Sequence, residues 1–517
     1  MFFNMNWLIK TVSLAFCSFL SISADSRPNI IIMMADDMGY SDIGCYGGEV
    51  ATPELNNLAT NGLRYSQMYN TSKCTTTRSS LLTGRYVDSK SYSANYEAGP
   101  TFGEVAKDAG YRTLWSGKNH SHIRPPERGF DRFYGFQGGA CNFWNPGNKT
   151  QDGKDFPHII DYEWMVNDKW IKPFIPENES YYMTDEITTN ALNWLDEYKA
   201  EEKPFLLYLA YNAPHWPLHA KKEDIKKYEG VYDGGYQAIR EARYKKMIQE
   251  GIIDADTAPL HPQPITDWNE VDPEEQKRES KRMEIHAAMI DNLDQNIGRV
   301  VNWLKDSGEL ENTLILFFVD NGASEERTKR YEPNYVVTGK EEPGSVMTYD
   351  CIGKQWSLVA NTPLHLHKKT SFEGGINSPM IAHWPKGISK GHSWSHQPVH
   401  LVDIMSTVID LSKGSYPKSF NGKKAKPKEG ISLRPSFSGD NLEERSTKMG
   451  FQWAKGYALR DHDWKIVRLG QSKPWELYNM KVDRTETNNL ASKMPEKVKA
   501  MNAQWEKWNK QVKADLK

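Results

Sequence analysis

The chain has 517 residues, with 65 Lys and Arg against 67 Asp and Glu, a formal net charge of −2 and a pI near 6.7. That balance excludes a general nucleic-acid binder, which needs a strong basic excess. A mean hydropathy of −0.70 and the lack of a long apolar run after the first 25 residues exclude a polytopic membrane protein. A chain that is 38% hydrophobic and 12% aromatic buries too much to be disordered. The length suits about three domains of roughly 150 residues, although large α/β enzymes exceed that in one body.

In chain order, Met1 to Ala24 comes first. Lys10 is followed by the apolar stretch Thr11 to Leu20 and then by small residues. This reads as a secretory signal peptide cleaved near Ala24, which implies a periplasmic or secreted protein with no membrane attachment after cleavage. Four cysteines remain, Cys45, Cys74, Cys141 and Cys351. They are too few for a disulfide framework, with room for one or two bridges at most, and no C-x-x-C pair suggests zinc.

Four short apolar runs each break off into polar residues. Asn29 to Met34 runs into Asp36-Asp37, and Thr113 to Trp115 into Gly117-Lys118-Asn119-His120. Phe205 to Tyr211 runs into Pro214-His215, and Thr313 to Val319 into Asp320-Asn321-Gly322. Continuous apolar runs suit strands of a mostly parallel sheet with helices on both faces. Ile285, Met289, Leu293, Ile297, Val300 and Leu304 mark one stripe of a helix that Gly308 stops. Ligand sites in such sheets lie beyond the carboxyl ends of the strands, so four polar endings point to one shared site.

Glu270 to Arg282 is a charge run, expected to be a solvated helix face. From about Ser412 the chain turns to Lys, Pro, Gly and Ser, a linker signal. Alternating segments such as Trp464 to Arg468 follow, and a closing helix carries Leu490, Met494, Val498, Met501, Trp505 and Trp508. The expected organisation is a signal peptide over 1–24, a catalytic α/β domain over 25–411, and a subdomain over 412–517 with a small antiparallel sheet and a helix.

Asp36, Asp37, Asp320 and Asn321 all offer oxygen, with no Cys or His cluster beside them. Hard cations want this set: Ca²⁺ first, Mg²⁺ second. An isolated Asp-Asp pair would read as a helix cap; a second pair at another strand end favours a metal. The segment Lys73-Cys74-Thr75-Thr76-Thr77-Arg78-Ser79-Ser80-Leu81-Leu82-Thr83-Gly84-Arg85 reads as a loop feeding a helix. A cysteine at a helix start meets free N–H groups and a positive dipole end, and by itself is as readily an ordinary cysteine.

That segment resembles the signature C-x-P/A-x-R-x-x-L-L-T-G of the type I, formylglycine-dependent sulfatases. Thr76 departs from it, since Pro or Ala is usual there. The likeness continues through Arg27-Pro28-Asn29 to Asp42, through Gly117-Lys118-Asn119-His120, and through Ala213-Pro214-His215 and Asp320-Asn321-Gly322. It extends to Lys368 ahead of Phe372-Glu373-Gly374-Gly375-Ile376 and to Glu476-Leu477-Tyr478-Asn479. Asn119 stands where the family often has Trp. The stretch from Tyr232 to Arg243 is most similar to bacterial arylsulfatases.

The resemblance implies an alkaline-phosphatase-like fold and hydrolysis of sulfate esters by S–O cleavage. It implies that a maturation enzyme oxidises Cys74 to formylglycine, whose hydrate attacks sulfur. Residue 74 would join Asp36, Asp37, Asp320 and Asn321 around the cation. Arg78, one helical turn from Cys74, would orient the diol, and Lys118 and Lys368 would hold sulfate oxygens. His120 would take the diol proton and His215 would protonate the leaving oxygen. Singly, each Lys reads as a salt bridge and each His as a structural residue. His122, His219, His365 and His367 divide between substrate subsite and surface. Trp144, Trp164, Trp170 and Trp216 divide between a stacking platform and core. The expected substrates are sulfated carbohydrates and aryl sulfates. The rivals are a phosphate or phosphonate ester hydrolase of the same superfamily and a non-catalytic carbohydrate-binding relative.

Overall fold

The computed structural model describes residues 27–147, 163–201, 203–327, 342–389, 391 and 393–514. The expected signal peptide lies outside the described residues.

Eleven strands form the main sheet. They are β1 (Asn29–Ala35), β2 (Leu63–Tyr69), β3 (Arg112–Gly117), β4 (Arg132–Phe136), β5 (Trp164–Val166) and β6 (Lys169–Ile171), then β7 (Phe205–Ala210), β8 (Thr313–Val319), β9 (Asn377–His383), β10 (Ser393–Ser395) and β11 (Val399–His400). Their order is β10-β2-β9-β8-β1-β7-β3-β4-β5-β6, with β11 also on β2. The run β8-β1-β7-β3-β4 is parallel. β9 runs against both β8 and β2, so β2 shares the direction of β1.

All seven residues of β1 are buried, and alternation sends them to two different cores. Ile31 and Met33 join one apolar cluster, and Ile30, Ile32 and Met34 join the other. That is why the sequence run is continuous rather than alternating. The first core lies under the helix Pro273–Ser307, with Met289, Leu293 and Ile297 inward. Gly308 ends that helix at φ +77, the left-handed cap glycine favours. The second core lies under the helices Phe102–Asp108 and Asp403–Ser412. The protein is thus an α/β structure of three layers.

A hairpin of β12 (Ser419–Phe420) and β13 (Lys423–Lys424) follows. β14 (Met449–Trp453), β15 (Gly456–Asp461), β16 (Trp464–Leu469) and β17 (Glu476–Asn479) then form an antiparallel sheet. The helix Pro495–Ala514 packs Met501, Trp505 and Trp508 on it.

Two expectations change. The closing helix starts at Pro495, so Leu490 and Met494 pack ahead of it, in the turn, rather than on its stripe. The Glu270 to Arg282 run is not wholly solvated: Glu279 is buried and bound by Arg282 at 2.5 Å. No two of the four cysteines pair, and all four are buried.

Candidate functional site

The shared direction of β1, β2, β3, β7 and β8 puts five chain exits on one edge, and the antiparallel β9 enters from that edge. The polar endings therefore converge. β1 delivers Asp36 and Asp37, β8 delivers Asp320 and Asn321, and β3 delivers Lys118 and His120. β7 delivers His215, and the loop before β9 delivers Lys368. β2 leads through Asn70 to Lys73 into the helix Cys74–Thr83. Gly117 ends β3 at φ +117, and a Cβ there would overlap the carbonyl of Ala210; only glycine lets Lys118 turn in beside β7.

The backbone fixes the acidic group. The Asp36 amide donates to the Ala213 carbonyl at 3.1 Å, and the Asp37 amide to Asp320 Oδ1 at 3.2 Å. Thr77 Oγ1 donates to the Asp320 carbonyl at 2.7 Å, tying the cysteine helix to β8. Asn321 Nδ2 donates to Asp37 Oδ1 at 2.7 Å. That leaves Asp36 Oδ1, Asp37 Oδ2, Asp320 Oδ2 and Asn321 Oδ1 buried without a hydrogen-bond donor. Four orphaned oxygens, three from carboxylates, fit a hard divalent cation and would otherwise be costly. Asp36, Asp37 and His215 each place a ligand atom within 4.8 Å of the other two, so an imidazole lies beside the expected oxygen set.

Cations surround the group. Arg78 Nη2 lies 3.0 Å from Asp36 Oδ2 and 3.7 Å from Asp320 Oδ2, and its Nη1 donates to the Lys118 carbonyl at 2.9 Å. Lys118 pairs with Asp36, and Lys368 with Asp37. Burial would raise the Asp36 carboxyl, but Lys118, His215 and Arg78 outweigh it and hold it well below the usual range. Burial and then the Asp36 charge push Asp320 well above that range. Two close carboxylates thus differ in proton affinity.

Cys74 is fully buried at the first helical position. Burial pushes its thiol up, yet Lys73, Lys368 and Lys118 prevail and lower it. The pocket at residue 74 favours negative charge. Burial and then Lys118 depress His215, whose Nδ1 lies 2.7 Å from the Trp216 carbonyl and whose Nε2 lies 3.4 Å from Asp37 Oδ2. Burial, then Lys118, Lys73 and Arg78, depress His120, whose Nδ1 has no partner. A neutral imidazole with an unengaged nitrogen can accept a proton.

All ten residues singled out from the sequence lie on this edge. Of the four undecided histidines, His219 is structural: Phe143 donates to it at 3.3 Å, it lies 2.7 Å from the Thr348 carbonyl, and burial lowers it to about 4. His365 stacks on His261 at 3.7 Å, His367 lies 3.6 Å from Glu325, and His122 is exposed. Trp164 is core. Trp144 and Trp170 pack against the two cores. Trp216 lies beside the site, its ring 4.6 Å from that of His215.

Three neighbours escaped the sequence reading. Asn212, 1% exposed, has no partner for either side-chain polar atom. A polar residue at the end of β7 was its available signal. Glu326 accepts from Trp216 Nε1 at 2.7 Å and pairs with Lys369, and no spacing marks it. Lys73, the residue before the cysteine, is the third.

With this geometry established, comparison with known proteins adds the following. A family model described as Sulfatase matches residues 28–415, and one described as N-sulphoglucosamine sulphohydrolase, C-terminal, matches residues 365–513. The chain is similar to an arylsulfatase of Klebsiella aerogenes, 31% identical over 83% of this chain and 96% of that one. The structure is similar to Ps i-CgsB solved with k-i-k-neocarrahexaose, at a TM-score of 0.65 and 25% identity, covering 93% of this chain and 92% of that one. It also shares its fold with a protein solved with its substrate D-glucosamine-2-N,6-O-disulfate, at a TM-score of 0.63 and 21% identity, covering 94% and 98%.

Proposed function

Because this chain belongs to the sulfatase family and is a sulfuric ester hydrolase of alkaline-phosphatase-like fold, we propose that it desulfates sulfated carbohydrates, and aryl sulfates as well, through a formylglycine formed from Cys74. Four donor-less buried oxygens facing a buried cysteine among lysines carry this reading. The donor chemistry fits one divalent cation, Ca²⁺ before Mg²⁺, held by Asp36, Asp37, Asp320, Asn321 and residue 74. When bound, it would neutralise the carboxylates and draw charge from the sulfate as a Lewis acid. Formylglycine would supply a geminal diol, with one hydroxyl to attack sulfur and the other to drive elimination of sulfate, which Ser or Cys lacks.

The chain's own residues then divide the work. Lys118 and Lys368 hold the sulfate oxygens as fixed charges prepared before the reaction. Arg78 fixes residue 74 against Asp36. His215, kept neutral by burial and Lys118, takes up a proton at Nε2 when the anionic sulfate ester binds and passes it to the departing alcohol oxygen. His120, kept neutral by burial and by its cationic neighbours, takes the proton of the second hydroxyl as sulfate leaves. A formylglycine-generating enzyme is the implied maturation partner, and a periplasmic or secreted site the implied location.

The phosphoesterase reading would call for a second metal with further Asp and His ligands. Among the described residues only the Asp36, Asp37 and His215 cluster qualifies. The non-catalytic reading would predict a missing nucleophile or acid, and each is present. The test is sulfate release from a panel of sulfated sugars and 4-nitrophenyl sulfate, with mass analysis of the peptide from Lys73 to Arg78. An aldehyde or its hydrate in active protein supports the reading; an intact thiol in fully active protein defeats it.

A further inference from the structure

One buried polar side chain at the catalytic edge is unused by the mechanism above. Asn212 is 1% exposed, and neither its amide nitrogen nor its amide oxygen has a hydrogen-bond partner. A buried amide left this way weakens a fold, so its presence calls for a partner that arrives from outside the chain.

The backbone brackets Asn212 between groups of the site. On one side the Tyr211 amide donates to the Met34 carbonyl at 2.9 Å, and the Asp36 amide to the Ala213 carbonyl at 3.1 Å. A regular parallel ladder would take Asp36 to Tyr211, so the chain bows at Asn212, beside the exit of β1. On the other side the Lys118 amide donates to the Ala210 carbonyl at 2.8 Å. The Asn212 carbonyl accepts the His215 amide at 2.9 Å, which makes Asn212 the first residue of the turn that carries His215.

Alternation aims the side chain. Tyr211 and Ala213 join the first core, whereas Tyr208 and Ala210 join the second, together with Leu81 and Leu82 of the helix Cys74–Thr83. Asn212 falls between the two first-core residues and so faces the side that carries this helix. Asp36 continues Ile30, Ile32 and Met34 on that side, where Arg78 meets it at 3.0 Å.

The ordinary local use of such a side chain is closed. An asparagine at the start of a turn accepts the amide two residues on. Here that residue is Pro214, which has no N–H, and the His215 amide is taken by the Asn212 carbonyl. What the site lacks until substrate binds is the sulfate, whose oxygens only accept.

We propose that Asn212 is a further catalytic residue, whose Nδ2 donates to a non-bridging oxygen of the scissile sulfate between Lys118 and His215. This rests on sulfate-ester hydrolysis and not on which alcohol carries the sulfate.

The test measures 4-nitrophenyl sulfate and a sulfated sugar side by side, with rates taken per folded, matured protein. Asn212→Ala should lower kcat/KM by about 10- to 100-fold, the worth of one hydrogen bond to a charged group. The loss should be the same on both substrates, and inhibition by inorganic sulfate should weaken with it. The melting temperature should stay at or above that of wild type, since an unpartnered amide is removed. Asn212→Asp keeps the acceptor but loses the donor and adds a negative charge, so it should fall at least as far. Wild-type turnover in Asn212→Asp would show that the donor is not used and overturn the proposal. So would a loss confined to the sugar, which would place Asn212 on the leaving alcohol. Wild-type turnover with a lowered melting temperature in Asn212→Ala would make the residue structural and overturn it as well. Release of sulfate from neither substrate by the wild type would instead fail the sulfatase reading beneath it.

Discussion

Two buried charge clusters sit on either side of the loop before β9, and they are built on opposite plans. Toward the C-terminal sheet, Lys465 on β16 is fully buried between Glu373 and Glu486, each at 2.7 Å. Tyr69 donates to the free oxygen of Glu373 at 2.9 Å, and the Glu373 amide donates to Glu486 at 2.8 Å. Toward the catalytic edge, Asp36, Asp37, Asp320 and Asn321 each keep one oxygen without a donor. The first cluster draws its partners from within the chain and ties the four-stranded sheet to the loop before β9, although burial and the Glu373 charge, against Lys465, still push Glu486 up to about 8. The second leaves its electrostatics open, and ligands must close it. Loss of a charge should therefore cost stability in the first cluster and turnover in the second.

The sharpest break is at residue 74. Cys74→Ser should fold, bind a sulfate ester and release no sulfate, because a single hydroxyl cannot eliminate what it accepts. Sulfate assay and a thermal melt read both halves, and an active Ser variant sinks the formylglycine proposal. Next comes the cation. Chelation should abolish turnover and lower the melting temperature, since Asp36, Asp37 and Asp320 then repel one another, and Ca²⁺ should restore both. Stoichiometric zinc without calcium in elemental analysis would overturn the assignment.

Lys368→Ala and His215→Ala should each lower kcat by about 10² to 10³, roughly 2.7–4 kcal/mol, by analogy with loss of one transition-state contact. In cation-loaded protein their melting temperatures should stay near wild type, because the cation still faces Asp37. Near-normal kcat in either folded variant would remove the role assigned. Lys465→Met should do the reverse. It strands two buried carboxylates and should cost about 3–5 kcal/mol, seen in a urea titration, while kcat of the folded fraction changes far less. A loss below about 1 kcal/mol would show that the four-stranded sheet is fastened elsewhere.

The open cluster was legible in the sequence and the closed one was not, for a physical reason. Asp36-Asp37, Asp320-Asn321, Lys118 and His215 follow continuous apolar runs, and parallel strands must bring such exits to one edge. Lys368 needed the family resemblance, since it precedes an antiparallel strand and no run announces it. Lys465 sits within the alternating Trp464 to Arg468, where pattern alone assigns a charged residue to the solvent face. Its two partners lie 92 residues before it, at Glu373, and beyond β17, at Glu486, so only the fold reveals that it is buried. The limit of the closing helix was visible in Pro495, a residue suited to the first helical position, and the apolar spacing of Leu490 and Met494 ran past it.

A further buried carboxylate separates the two plans most finely, through pH. Asp294, in the helix Pro273–Ser307, faces no cation. Its oxygens accept the amides of Leu55 at 2.8 Å and Glu54 at 3.0 Å, at the start of the helix Pro53–Thr60. Burial raises its carboxyl to about 7 against those amides, which pull it down. The unfolded chain releases this proton near its ordinary 3.8. Between about pH 4 and 7 the folded protein therefore holds the extra proton, and stability falls as pH rises through that window. The contribution is complete below pH 4, and the slope ends above about 7. One proton sets a ceiling of about 1.4 kcal/mol per pH unit. Asp294→Asn cannot titrate and keeps one acceptor for the helix start. The stability difference between variant and wild type, from urea titrations at pH 4, 5, 6 and 7, should move steadily in the variant's favour, with all other titrating groups cancelling. A difference that does not change across that range would mean that the two amides hold Asp294 charged.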